Sequence, residues 1–216
     1  MKKFLFLALS LSFTITNAQK RTAYDFKTAI ASSAIEVYQR EIKIDSSTKT
    51  TILIANEAAG KGIIWLKDIK FDNGIIELDI KGRDVLQKSF VGIAFHGIND
   101  TIYESVYFRP FNFRATDSVR KIHAVQYMSM PQNEWSKLRA QFNGQYEKAV
   151  INAPSGNDWF HAKIEITKEL IKVYVNNESL PSLVVQPLTN TAGLRFGLWM
   201  GEGADGNFAN LSILNK

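Results

Sequence analysis

GIIELDIKG, residues 74–82, alternates its side chains through seven consecutive positions. In an extended chain successive side chains point to opposite faces, so Ile76, Leu78 and Ile80 share one face. Ile75, Glu77, Asp79 and Lys81 share the other. Asp72-Asn73-Gly74 before it carries the residue types that favour a tight turn. This segment is therefore a strand with one face for a core and one for water.

The same period recurs along the chain. SFVGIAFHG (89–97) sets Val91, Ile93 and Phe95 against Gly92, Ala94 and His96. RKIHAVQYM (120–128) sets Ile122, Ala124, Gln126 and Met128 against Lys121, His123, Val125 and Tyr127. WFHAKIEI (159–166) and IKVYVNN (171–177) read as a hairpin burying Ala162, Ile164 and Ile166 with Ile171, Val173 and Val175. LRFGLWMG (194–201) sets Leu194, Phe196, Leu198 and Met200 against Arg195, Gly197 and Trp199. In TAIASSAIEVYQRE (28–41) the second half is rich in β-branched residues and continues as alternating IKID, so it reads as strand. Turn chemistry separates the runs at 97–100, 154–158, 176–177 and Asp205-Gly206-Asn207. Many short antiparallel strands without repeat or linker predict one all-β domain, an antiparallel sandwich or barrel.

The ends and the composition bound the cellular setting. MKKFLFLALSLSFTITNA (1–18) has two lysines, an apolar run of about ten residues and small residues at its exit, the pattern of a cleaved signal peptide. The expected arrangement is a signal peptide over 1–18 and one domain over 19–216, secreted or periplasmic. No other stretch approaches the roughly 20 apolar residues of a spanning helix. The absence of cysteine excludes disulfides, thiolate metal sites, a cysteine nucleophile and a lipid-modified cysteine. The formal charge of +5 falls to +3 once Lys2 and Lys3 are removed, and the remainder is dispersed, so nucleic acid is not an expected partner.

YESVYFRPFNFR (103–114) holds five aromatic rings and two arginines. As a strand it puts Val106 and Phe108 toward a core, with Tyr107 and Arg109 opposite. Pro110 ends the strand because it donates no ladder hydrogen bond. Rings with flat apolar faces beside a guanidinium fork and an amide, Asn112, suit a sugar. His96, His123, Tyr127 and Trp199 are expected on the same face, and Gln126 only if the register slips by one. Phe111 and Phe113 read as filling of the sandwich edge. The bland alternative for Arg109 is an ion pair with Glu77 or Asp79.

The succession FDNGIIELDIKG, SFVGIAFHG, YESVYFRPFNFR, VQYMSMP, WSKLRAQFNGQYE, NDWFHAKIEI, IKVYVNNESLPSLVV and GLWMGEGADGNFANLSI resembles the concanavalin A-like lectin/glucanase superfamily over residues 35–215. Within it the chain looks nearest to laminin G-like and 3-keto-disaccharide hydrolase domains. The resemblance implies an antiparallel jelly-roll β-sandwich with a concave groove, and carbohydrate, a polysaccharide or oligosaccharide, as partner. Fold alone does not assign activity, because the superfamily includes lectins, hydrolases, lyases and adhesion modules.

Three functions therefore stand open: a carbohydrate-binding protein using Tyr107, Arg109, Asn112, Gln126 and Trp199; a glycoside hydrolase or polysaccharide lyase; and a structural or adhesion module. For an enzyme, His123, Glu147 and Glu202 are the acid/base candidates, with Glu104 a further acid. Glu77-Leu78-Asp79 resembles the catalytic strand of laminarinase-type hydrolases, but the third acid falls on Gly82, so it reads as a solvated face. Lys121-Ile122-His123 resembles an alginate-lyase element only faintly, with Lys where Gln stands there. His96 and His161 read as structural. No metal or cofactor is expected. Asp205-Gly206-Asn207 would offer oxygens to a structural calcium, although a turn explains it without one. The long connection 135–159 is a further candidate for function.

Overall fold

The computed structural model describes residues 21–189 and 193–216. The expected signal peptide lies outside the described residues. In chain order the elements are β1 (Thr22–Ala23), α1 (Phe26–Ala31), β2 (Ile35–Tyr38), β3 (Ile42–Asp45), β4 (Ile52–Ala55), β5 (Gly62–Leu66), β6 (Gly74–Lys81) and β7 (Val91–Gly97). β8 (Tyr103–Phe108), a 3-10 turn (Pro110–Asn112), α2 (Ser118–Lys121), β9 (Val125–Met130), α3 (Trp135–Gln141) and β10 (Glu147–Lys148) follow. β11 (Phe160–Ile166), β12 (Ile171–Val175), β13 (Leu183–Val185), β14 (Arg195–Met200) and β15 (Gly206–Asn215) complete the chain.

Two antiparallel sheets result. One runs β13-β12-β11-β6-β15-β4-β3, with β1 also on β15; the other runs β10-β9-β8-β7-β14-β5-β2. In the first sheet the alternation survives as expected: Ile76, Leu78 and Ile80 are buried, and Glu77 and Asp79 are partly exposed on the outer face. The β11–β12 hairpin pairs Ala162 with Val175, Ile164 with Val173 and Ile166 with Ile171, all fully buried. Burying each such aliphatic side chain contributes about 1.5–3 kcal/mol before chain entropy is counted. The sheets meet through aromatic contacts, with Phe108 of β8 4.9 Å from Phe160 of β11 and Phe113 5.1 Å from the same ring.

The second sheet differs. β5, β7 and β8 are buried along their whole length, on both faces. Its inner face carries Val91, Ile93, Phe95, Val106, Phe108, Leu198 and Met200. Its outer face carries Tyr103, Tyr107 and Trp199, which are covered by one another rather than by water.

Several local expectations need correction. Residues 120–123 are not strand: α2 ends at Lys121, capped at its start by Asp117, and β9 begins only at Val125. The faces of β9 are therefore the reverse of those expected from His123. Tyr127 pairs with Val106 and turns inward, while Gln126 pairs with Tyr107 and turns outward, the one-residue displacement on which its place on the groove face depended. His96 and Tyr127 leave the groove face altogether. His96 Nδ1 lies 2.9 Å from Glu104 Oε1 in the interior, and the Tyr127 hydroxyl donates to Glu104 Oε2. Glu104 is thus a buried structural acid, fully withdrawn from solvent. The turn expected at 205–207 sits earlier, at Glu202–Gly203, where Gly203 adopts φ 60°, and Gly206 already starts β15.

Candidate functional site

Tyr107 and Trp199 stand on strands that flank β7, and both pair across to Gly92. A Cβ at Gly92 would come within 2.1 Å of the Val106 carbonyl oxygen and 2.6 Å of Tyr107 Cα. The bare backbone at this position lets the two rings meet, with centroids 4.8 Å apart and planes tilted by 41°. Trp199 Nε1 donates to the Tyr103 hydroxyl at 3.1 Å, so the indole is fixed by a hydrogen bond as well as by packing.

Arg109, one residue beyond β8, lies over this floor. Its guanidinium carbon is 4.9 Å from the Tyr107 ring centroid and 5.8 Å from that of Phe90. Its Nη1 donates to the His123 carbonyl at 2.9 Å, and its Nη2 donates to the Tyr107 hydroxyl at 2.7 Å and to Gln126 Oε1. The Tyr107 hydroxyl itself donates to Gln126 Oε1 at 2.8 Å. Arg109 is only 5% exposed, and its neighbours are polar groups and ring faces. The expected alternative partners, Glu77 and Asp79, are on the other sheet, where they meet Arg21 and His161.

Beneath the floor lies Glu147, on β10 opposite Gln126 and 2% exposed. Arg139 of α3 donates to both of its oxygens at 2.8 Å, a two-point pair. Arg109 Nη1 stands 3.5 Å from Oε2. His123 Nδ1 is 2.8 Å from the same oxygen, close but not aligned as a hydrogen bond. Burial alone would raise the Glu147 carboxyl; the Arg139 hydrogen bonds and the charges of Arg139, His123 and Arg109 outweigh it and hold the group below the usual carboxylate range. Burial keeps His123 below the ordinary imidazole value, with Glu147 pulling it up and the two arginines pushing it down. At neutral pH the cluster is an ionised carboxylate, two guanidinium groups and a neutral imidazole.

A cleft of about 700 Å³ opens over this face. Phe90, Phe111, Tyr107, Trp135 and Trp199 give it aromatic walls, and Lys61, Arg109, Arg120, Arg139, Asn112 and His123 give it polar ones. Glu202 stands at its edge, where it accepts a hydrogen bond from the Gly60 amide at 2.8 Å. Of the residues singled out in the sequence, Tyr107, Arg109, Asn112, His123, Trp199 and Glu202 converge on this cleft, while Gln126 and Glu147 lie under it. Phe111 lines it too, rather than filling the sandwich edge, whereas Phe113 joins the core.

Arg120, Arg139, Trp135, Phe90 and Lys61 escaped the sequence reading. Trp135 and Arg139 carried a usable signal, since W-x-x-x-R places both on one helix face. In the structure Arg139 lies 5.0 Å from the Trp135 ring centroid. Among the described residues no group of three or more His, Asp or Glu side chains gathers as a metal site. Asp205 pairs with Arg83 at 2.7 Å.

No family model and no curated protein matches the chain. Solved structures do. A carbohydrate-binding module, CBM66 from Bacillus subtilis, superposes with a TM-score of 0.58 at 13% identity, over 84% of this chain and 96% of that one. The exoplasmic/lumenal domain of VIP36, bound to calcium and Man3GlcNAc, gives 0.55 at 11% identity, over 85% and 84%. A native glycosidic hydrolase gives 0.56 at 11% identity, over 92% and 97%. At such identities the likeness establishes the fold, a concanavalin A-like antiparallel β-sandwich.

Proposed function

We propose that this concanavalin A-like sandwich is a carbohydrate-binding protein that takes a saccharide chain into the cleft over Tyr107 and Trp199. The observation that carries the reading is the pairing of ring faces with fixed donors. Sugars present apolar C–H faces and a girdle of hydroxyls, and the cleft offers five aromatic side chains beside three arginines, a lysine and two amides, Asn112 and Gln87. The Gln126–Tyr107–Arg109 network holds the floor in one geometry before a ligand arrives, which lowers the ordering cost of binding. The solved structures that share the fold include a carbohydrate-binding module, a mannose-oligosaccharide-bound domain and a glycosidic hydrolase, which supports a sugar as ligand. We further propose that the protein is exported, secreted or periplasmic, after removal of residues 1–18, a reading supported by the lysine flank and apolar run of that segment.

Binding is favoured over cleavage. Hydrolysis of the usual kind requires two carboxylates flanking the scissile bond. Among the described residues that line the cleft only Glu202 is acidic, and Glu147 is sequestered by Arg139 and Arg109. A cleaving enzyme remains as the second reading because His123, kept neutral at the cleft wall, has the protonation state of a general base.

Calorimetric titration against a panel of plant, algal and host polysaccharides, with sugar analysis of the supernatant, tests both. Saturable binding without released product is expected. Released product that disappears in His123→Ala moves the protein to the enzymes. A blank against every glycan leaves a structural or adhesion module.

A further inference from the structure

The charges around the cleft are unequal. Lys61, Arg109, Arg120 and Arg139 line it, and Glu202 is the one carboxylate that lines it among the described residues. Glu147 lies below, shared between Arg109 and Arg139. Four cations therefore face two carboxylates, an excess of two positive charges; exposed Glu134, 4.0 Å from Lys61 Nζ, offsets one of them weakly.

Arg120 holds the unmatched charge most clearly. Its Nη2 donates to the Phe111 carbonyl at 2.9 Å and its Nε to Asn112 Oδ1 at 3.3 Å. Both acceptors are neutral, and among the described residues Arg120 has no carboxylate partner. The two contacts hold one edge of the guanidinium plane on the cleft wall, and among the described residues Nη1 has no acceptor. Phe90, Phe111 and Trp135 line the same cleft as apolar walls, which lower the local dielectric and strengthen the field of an uncompensated cation. A fixed guanidinium fork in such a setting matches a planar or tetrahedral oxyanion better than it matches a hydroxyl.

We propose that the cleft selects an anionic saccharide, one whose carboxylate or sulfate group pairs with Arg120. This rests on the carbohydrate reading above and narrows it to acidic glycans. The Arg109–Glu147–Arg139 cluster is then the rigid base of the site, and Arg120 and Lys61 are the cations that meet the ligand.

The test is a titration of the protein with tetrasaccharides of the common uronic acids, with the same sugars after reduction of their carboxyl groups, and with sulfated galactan tetrasaccharides. The expected result is at least ten-fold tighter binding of one acidic sugar than of its uncharged counterpart at low salt, with affinity falling as salt rises. Whichever acidic arm binds identifies the anion. In Arg120→Gln the ten-fold ratio shrinks toward one, and Arg120→Lys restores part of it; Arg120 is partly exposed, so thermal melting should confirm that both variants fold. Equal or tighter binding of the uncharged sugars, or an unchanged ratio in Arg120→Gln, overturns the anionic inference and leaves the carbohydrate reading standing. A blank with all three sets also overturns the anionic inference, and the carbohydrate reading falls only if the full polysaccharide panel is blank as well.

Discussion

Tyr107 and Trp199 belong to strands that are not paired with each other, yet their rings are 4.8 Å apart because the residue between them, Gly92, has no side chain. Any Cβ at position 92 collides with backbone rather than with a movable side chain. Gly92→Ala is expected to destabilise the fold by about 2 kcal/mol, within the usual range for overpacking. Urea denaturation with an unchanged m-value checks it, and an unaltered midpoint contradicts the assigned geometry.

Glu147→Gln leaves Arg139 and Arg109 buried or half-buried beside an uncharged amide. Removing one member of a buried ionic cluster costs about 3 kcal/mol. The group's folded pKa is depressed, so its contribution is present above the ordinary carboxylate value and is lost as pH falls through the folded value. Wild type should lose stability on acidification below the ordinary carboxylate value, and the variant should lose less over that window. His123 should titrate at still lower pH in the variant, because the attraction of Glu147 that raises its pKa has gone. Chemical denaturation at stepped pH and imidazole NMR read both effects.

His96 predicts the opposite pH trend. Burial alone would depress its pKa, but the Glu104 hydrogen bond and the Asp72 carbonyl outweigh it and raise the imidazole above its ordinary value. A raised folded pKa stabilises fully below the unfolded value, about 6.5, and that stabilisation disappears as pH rises through the folded value. Imidazole NMR should show His96 titrating above the ordinary imidazole value and His123 below it. Glu104→Gln should lower the His96 pKa and cost about 3 kcal/mol; an unmoved His96 titration would mean that the interior pair does not form.

Much of the sandwich was legible because strands of the first sheet keep one wet face. Ile76, Leu78 and Ile80 on β6, like Ile164 and Ile166 on β11, alternate with residues that solvent reaches. β9 was misread because both of its faces are covered. Val125, Gln126, Tyr127 and Met128 are all buried, so no contrast between apolar and polar positions marks the inner side. Its true register comes from Tyr127 reaching Glu104 across the sheet, a contact between distant residues that period alone does not encode. The site was legible where it sits on strands, at Tyr107, Arg109 and Trp199. It was hidden at Arg120, which arrives on a short helix after β8, where chain packing rather than alternation sets direction, and at Arg139 only its spacing from Trp135 gave a signal.

Trp135 separates ligand contact from folding. It is 43% exposed on α3 and lines the cleft, so Trp135→Ala removes a ring without opening the core. The change should leave the denaturation midpoint within about 0.5 kcal/mol of wild type. It should weaken saccharide affinity about ten-fold, which corresponds to ~1.4 kcal/mol. Unchanged affinity in the folded variant would remove α3 from the binding surface.

The four tryptophans give the most direct test of where a saccharide sits. Trp135 and Trp199 line the cleft, whereas Trp65 is buried with its indole bonded to Asp100 and Trp159 immediately precedes β11. Indole 15N–1H spectra recorded through a saccharide titration should show the Trp135 and Trp199 signals moving together to saturation while those of Trp65 and Trp159 stay in place. Movement of Trp159 with Trp135 and Trp199 unmoved would put the sugar elsewhere and contradict the cleft as the binding site.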